Sequence, residues 1–138
     1  MYWTLWQDAS VYLAMNRTRE IILTLVLSLE VARHVVFPHF ARTKAEPGLG
    51  AVLMAPFDGT DLLKHLSSAL EKVRNRNLQK EEPKIWQSIK SLYIARHHVA
   101  HGRPPVFSTL SGLQSVDDQN LVTWWNDVRS ALLWIESL

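Results

Sequence analysis

Pro83-Lys84-Ile85-Trp86-Gln87-Ser88-Ile89-Lys90-Ser91-Leu92-Tyr93-Ile94-Ala95-Arg96-His97-His98-Val99-Ala100-His101-Gly102-Arg103-Pro104 is the stretch on which the fold turns. Its apolar side chains Ile85, Ile89, Leu92 and Tyr93 recur at the interval of a helix that keeps one face in a core. Pro83 suits a first helical turn, where an N–H would have no intrahelical partner, and Gly102 and Pro104 are stop signals. A helix from about Pro83 to His101 follows. At its end three histidines and two arginines crowd into the eight positions from Arg96 to Arg103. An arginine offers a fixed fork of donors for a phosphate. An imidazole gives or takes a proton near neutral pH, so the mixture points to chemistry on a phosphodiester.

Outward from this helix the chain keeps the same period. From Asp8 to Phe40 apolar residues, Leu13, Ile21, Leu25, Leu29, Ala32 and Val36 among them, recur at helical spacing until Pro38 ends or kinks the pattern. Either one long helix or two shorter ones fit, and Asn16-Arg17-Thr18 is the expected break, with Asn16 or Thr18 as a cap and Glu20 in the new first turn. Residues 42–58 carry two prolines and two glycines and read as an irregular connection whose Leu49, Val52, Leu53, Met54 and Phe57 pack back on the core. A helix is expected from Thr60 or Asp61 to about Arg76, then a polar link from Asn75 to Glu82. After the Pro83 helix comes a loop holding Pro105, Ser108, Ser111 and Gly112. Asp117 or Asp118 then caps a last helix of about 20 residues with Leu121, Trp124, Val128, Leu132 and Ile135 as its stripe. The reading is all-α, one domain over residues 1–138, an up-and-down bundle of four to five helices with no convincing strand. Both ends lie close to expected helices, which suggests a domain excised from a longer protein.

Composition narrows the chemistry. At 138 residues the chain is long enough to hold a core unaided. With no cysteine, disulfide scaffolds, thiolate zinc sites and cysteine nucleophiles are excluded. Fifteen basic against thirteen acidic residues make a mild positive bias. The charges are nevertheless segregated: Lys72, Arg74, Arg76, Lys80, Lys84 and Lys90 lead up to Arg96 and Arg103, whereas Asp117, Asp118, Asp127 and Glu136 belong to the last segment. That basic run is either a solvated helix face or a track for RNA. The strongly apolar run Ile21–Leu29 is shorter than the about 20 residues of a membrane span, and Met1–Asp8 lacks the basic start of a signal peptide. An intracellular protein without membrane contact is expected, cytoplasmic or, in a eukaryote, nuclear.

The end of the quoted stretch resembles the signature of the HEPN superfamily, small helical domains in which an arginine, a polar residue and three to five further residues lead to a histidine. Arg96 matches the arginine, His97 takes the polar place often filled by asparagine, and His101 matches the histidine, with Gly102 following as it often does. The resemblance implies a homodimer in which two motif helices face each other across a basic cleft that takes RNA. It implies metal-independent cleavage, the ribose 2′-hydroxyl attacking the adjacent phosphorus to leave a 2′,3′-cyclic phosphate. His101 would be the general acid or base, Arg96 the phosphate ligand, and His97 an orienting group or second acid/base, with Arg103, His98 and Lys90 as RNA contacts. Neither cofactor nor metal is expected. A toxin or defence nuclease, paired with an antitoxin or a fused domain, and an RNA-processing module both fit, and so does a catalytically inactive interaction or RNA-binding domain.

Other readings of the same residues remain. Histidines near a helix C-terminus are favoured by the helix dipole, and Arg96 can be a partner for a carboxylate. His97 and His101 have the spacing of a helical zinc pair, but the residue after the first is His98, where a zinc protease carries its glutamate base. On an ideal helix these two histidines share a face, while Arg96 lies about 140° round from His101 and must reach across. His34, His39 and His65 read as structural. The six tryptophans read as core or dimer interface rather than base-stacking platforms.

Overall fold

Helix α1 (Tyr2–Ala14) and helix α2 (Thr18–Thr43) meet at a turn in which Asn16 takes a left-handed φ of 54°. The break falls at the expected place, and the first helix begins at Tyr2, earlier than the apolar pattern from Asp8 suggests. The computed structural model of the chain describes residues 1–43 and 61–138. The expectations for the connection over 44–60 lie outside them, as does the side chain of His39.

Pro38 lies inside α2, which continues past it to Thr43. Proline forfeits one backbone hydrogen bond there; the neighbouring Phe37, 1% exposed, ties this turn into the core. The stretch Thr18–Pro38 is long and apolar enough to cross a membrane by length and composition, more than the run Ile21–Leu29 suggests, and half of it is buried inside the protein. Its inner face carries Ile21, Ile22, Leu25, Leu29 and Ala32, all fully buried. Each of these isoleucines and leucines contributes about 1.5–3 kcal/mol relative to exposure.

Three short segments follow: α3 (Asp61–Lys64), a π-helical turn (His65–Ala69) and α4 (Leu70–Arg74), ended by Asn75 in the left-handed region. The expected polar link is not all loop. Asn77 accepts a hydrogen bond from the Lys80 N–H and starts α5 (Leu78–Glu81), whose Leu78 is fully buried. Helix α6 (Pro83–Ala100) begins at its proline as predicted and buries Ile89, Leu92, Tyr93, Ala95 and Val99.

The loop after α6 holds two strands, which corrects the strand-free reading. Strands β1 (Val106–Thr109) and β2 (Gly112–Ser115) pair antiparallel, with Val106 opposite Ser115 and Thr109 opposite Gly112. Gly112 has φ 108°, a value that side chains resist, and the Thr109 hydroxyl accepts from the Ser111 N–H and donates to the Gly112 carbonyl. Phe107 anchors the hairpin edge-on against Trp124, ring centres 5.4 Å apart. Helix α7 (Asp118–Glu136) starts at a capping box in which Asp117 and Asn120 exchange side-chain and backbone hydrogen bonds. The predicted stripe Leu121, Trp124, Val128, Leu132 and Ile135 is buried in full, joined by Ala131 and Trp134.

The described residues are therefore mostly helical, with one small sheet. Helix α2 packs against α1, α6 and α7, α6 packs against α7, and the hairpin lies on α6. Helices α1 and α7 are clasped by aromatic residues: Trp6 stacks on Trp125 at 4.3 Å, and each indole N–H donates to the other residue's carbonyl. The tryptophans sit at helix contacts, as expected for packing.

Candidate functional site

The motif occupies the last turn of α6 and the cap beyond it. His101 is the C-cap residue, Gly102 follows with φ 70°, its N–H donates to the Val99 carbonyl at 3.0 Å, and the Arg103 N–H reaches the His98 carbonyl at 2.9 Å. This pair of bonds is the Schellman closure, which requires a left-handed residue at the position Gly102 fills. It turns the chain sharply, so that His101 and Arg103 leave the helix exposed rather than continuing along it.

His97 and His101 lie edge to face with ring centres 4.6 Å apart, and His98 stands 6.0 Å from His97 at 80°. Desolvation, then the charges of His101, Arg103, His98 and Arg96, lower the His97 pKa below the ordinary imidazole value. All four of these groups are thus felt at one ring. Lys90, exposed, is seven residues before His97 and shares its face of the helix, about 10 Å back along the axis.

Arg96 is half-buried and lies round the helix toward α2. Its neighbour there is Tyr93, 8% exposed, whose hydroxyl donates to Glu30 Oε1 at 3.4 Å. Burial and then Glu30 push the Tyr93 hydroxyl well above its ordinary pKa, against the opposing charges of Arg33 and Arg96. No hydrogen bond joins Arg96 to His101 within one chain, in keeping with the 140° separation.

Three cations elsewhere are neutralised. Arg17 binds Glu20, Arg76 binds Glu81 and Lys80 binds Glu71. Arg76 and Lys80 therefore drop out of the basic run expected from the sequence. Among the described residues no carboxylate lies within ion-pairing distance of Arg96, His97, His98, His101 or Arg103, so the reading of Arg96 as a partner for an acidic residue finds no such residue. The described residues also form no group of three or more metal-ligating side chains.

Two contributors to this region escape the sequence reading. Arg19, on the first turn of α2, donates from Nη2 to the Val99 carbonyl at 3.3 Å, 80 positions away in sequence. Hairpin β1–β2, packed on the motif helix, is the other. Only tertiary packing brings Arg19 there; the hairpin's signal is the β-branched and aromatic run Val106, Phe107 and Thr109 ahead of Gly112. Among the described residues nothing encloses the cluster: His97, His101 and Arg103 are exposed, and a pocket lined by Leu13, Asn16, Ile21, Asp118, Leu121 and Val122 includes none of them. No family model, curated protein or solved structure matches the chain, so the functional reading rests on the chemistry of these residues.

Proposed function

We propose that the chain is a metal-independent endoribonuclease of the HEPN type, its four long helical segments arranged as an up-and-down bundle and its site completed by a second copy. The observation that carries this reading is the concentration of two guanidinium groups and three imidazoles at one helix end with no carboxylate among the described residues to neutralise them. An uncompensated cation cluster is a site for an anion. The imidazoles add proton transfer, which simple phosphate binding does not need.

In the reaction the 2′-oxygen of a ribose attacks the adjacent phosphorus, the bond from phosphorus to the 5′-oxygen breaks, and a 2′,3′-cyclic phosphate and a 5′-hydroxyl result. The 2′-hydroxyl proton goes to one imidazole and the leaving 5′-oxygen receives a proton from another. His97, whose lowered pKa favours the neutral form, suits the base, and His101 the acid. Arg96 holds the phosphate and stabilises charge growing on its oxygens. Arg103, His98 and Lys90 contact the flanking backbone. A site open on one side supports the dimer, because electrostatic catalysis is strongest where water is excluded, and a facing motif helix supplies the missing wall.

One observation favours a second reading. Arg96 and His101 do not meet within one chain, and a surface that only binds RNA or a protein requires no such meeting. Cleavage separates the two. Purified protein incubated with labelled RNA in EDTA is expected to yield cyclic-phosphate ends, and the Arg96→Ala and His101→Ala variants to lose this activity. A folded dimer that binds the RNA and leaves it intact establishes the binding-only reading. A toxin, defence or RNA-processing role inside a cell, under control of an antitoxin or fused domain, is the setting in which such an activity makes sense.

A further inference from the structure

Arg17 and Arg19 start α2 two residues apart and end in different surroundings. Arg17 is engaged by Glu20, through Nε at 3.0 Å and Nη2 at 2.5 Å. Arg19 turns to the end of α6, where its Nη2 shares the Val99 carbonyl with the Gly102 N–H. That single acceptor places the guanidinium beside the Gly102 amide, next to Arg103. Among the described residues no carboxylate lies within ion-pairing distance of it, although its charge is felt at Glu20. Arg19 is exposed, and one hydrogen bond uses one of its five donors.

We infer that Arg19 is a phosphate-binding residue of the site, touching the RNA backbone next to the scissile phosphate and extending the cluster from α6 onto α2. The inference rests on the RNA-binding reading above and adds a residue that the motif does not contain. A cap on the Val99 carbonyl alone would use a fraction of the fork, whereas a guanidinium held at one corner presents its remaining donors in a fixed direction, the geometry suited to phosphate oxygens. Packing of α2 on α6 fixes the spacing between Arg19 and the motif. The position therefore selects a backbone phosphate at one distance from the cleavage point.

The test is polarisation of a short fluorescein-labelled 2′-O-methyl RNA, which lacks the attacking hydroxyl and stays intact, measured over a range of salt concentrations. Arg19→Gln is expected to weaken binding about fivefold at about 0.1 M salt and to reduce the slope of log affinity against log salt by about 0.7, the signature of one fewer phosphate of a single strand being neutralised. Arg19→Lys keeps the charge without the fork, so it should retain the wild-type slope and lose less affinity than Arg19→Gln, and Arg17→Gln should match wild type. A wild-type slope in Arg19→Gln, even with a lowered melting temperature, overturns the inference and leaves a helix cap. A wild-type protein that does not bind this RNA at low salt overturns the RNA reading together with it.

Discussion

The two ends of α6 are built on opposite electrostatic principles. Near its start, charged and polar groups are matched: Glu81 accepts from Arg76, from the Asn77 N–H and from the Trp134 indole at 2.7 Å, while Glu71 accepts from Asn77 and Lys80. At its other end five cationic or titratable groups gather without a carboxylate among the described residues. Matched charge holds a fold together and leaves little for a ligand. Unmatched charge costs self-repulsion, which after desolvation helps lower the His97 pKa, and that cost is recovered when an anion binds. On the proposed reading, the difference separates a structural end from a functional one.

Substitutions should divide along the same line. The largest effect is expected at the unmatched end, on activity: His101→Ala or Arg96→Ala should slow RNA cleavage by about 10²–10⁴-fold while leaving thermal melting close to wild type, because neither side chain holds a hydrogen bond that the fold depends on. Comparable loss of folding and activity in both variants would erase the distinction. At the matched end the effect should be on stability. Glu81→Ala leaves the Trp134 indole N–H, in a residue 8% exposed, without its acceptor and is expected to cost about 1–3 kcal/mol in urea unfolding, with cleavage unchanged at a temperature where the variant is folded.

Gly102→Ala probes the boundary between the two. A Cβ there meets nothing within 4 Å, so the strain comes from the φ of 70° alone and should cost about 1 kcal/mol. Its effect on cleavage should exceed what the stability change explains, because the turn directs His101 and Arg103.

The smallest effects are those of pH. Glu81 is held down to about 2 by Arg76 and, after the opposing cost of burial, by Trp134 and Asn77, so its contribution is present above the ordinary carboxylate pKa near 4.5 and is lost as pH falls toward 2. The melting temperature should fall over that window, and Glu81→Gln should flatten the fall. For His97 the unfolded chain takes up its proton first as pH drops, so stability also declines as pH falls through the ordinary imidazole range. Imidazole shifts followed by NMR should show the His97 pKa rising on addition of the uncleavable RNA. No rise would mean that no phosphate sits by that ring.

Much of the fold is legible in the chain. Thr18 begins α2 after the predicted break, Asp117 and Asn120 form the cap before α7, and the stripe from Leu121 to Ile135 reaches the core, because each is decided within a few residues by helical period or capping. The angular gap between Arg96 and His101 also follows from the period. What stays hidden is either short or distant. Four-residue strands and the four-residue helix Leu78–Glu81 carry too few periodic positions to stand out. Arg19 meets Val99 only because α2 packs on α6, and Arg76 and Lys80 read as free charge in the sequence because Glu81 and Glu71 reach them through a fold in the chain.

The most direct test of the central claim uses a DNA oligonucleotide carrying a single ribose, incubated with the protein in EDTA and followed by mass spectrometry. Cleavage only on the 3′ side of that ribose, leaving a 2′,3′-cyclic phosphate and disappearing in His101→Ala, is the predicted result. Cleavage at deoxyribose positions, or cleavage that survives in His101→Ala, would contradict attack by the 2′-hydroxyl at this cluster.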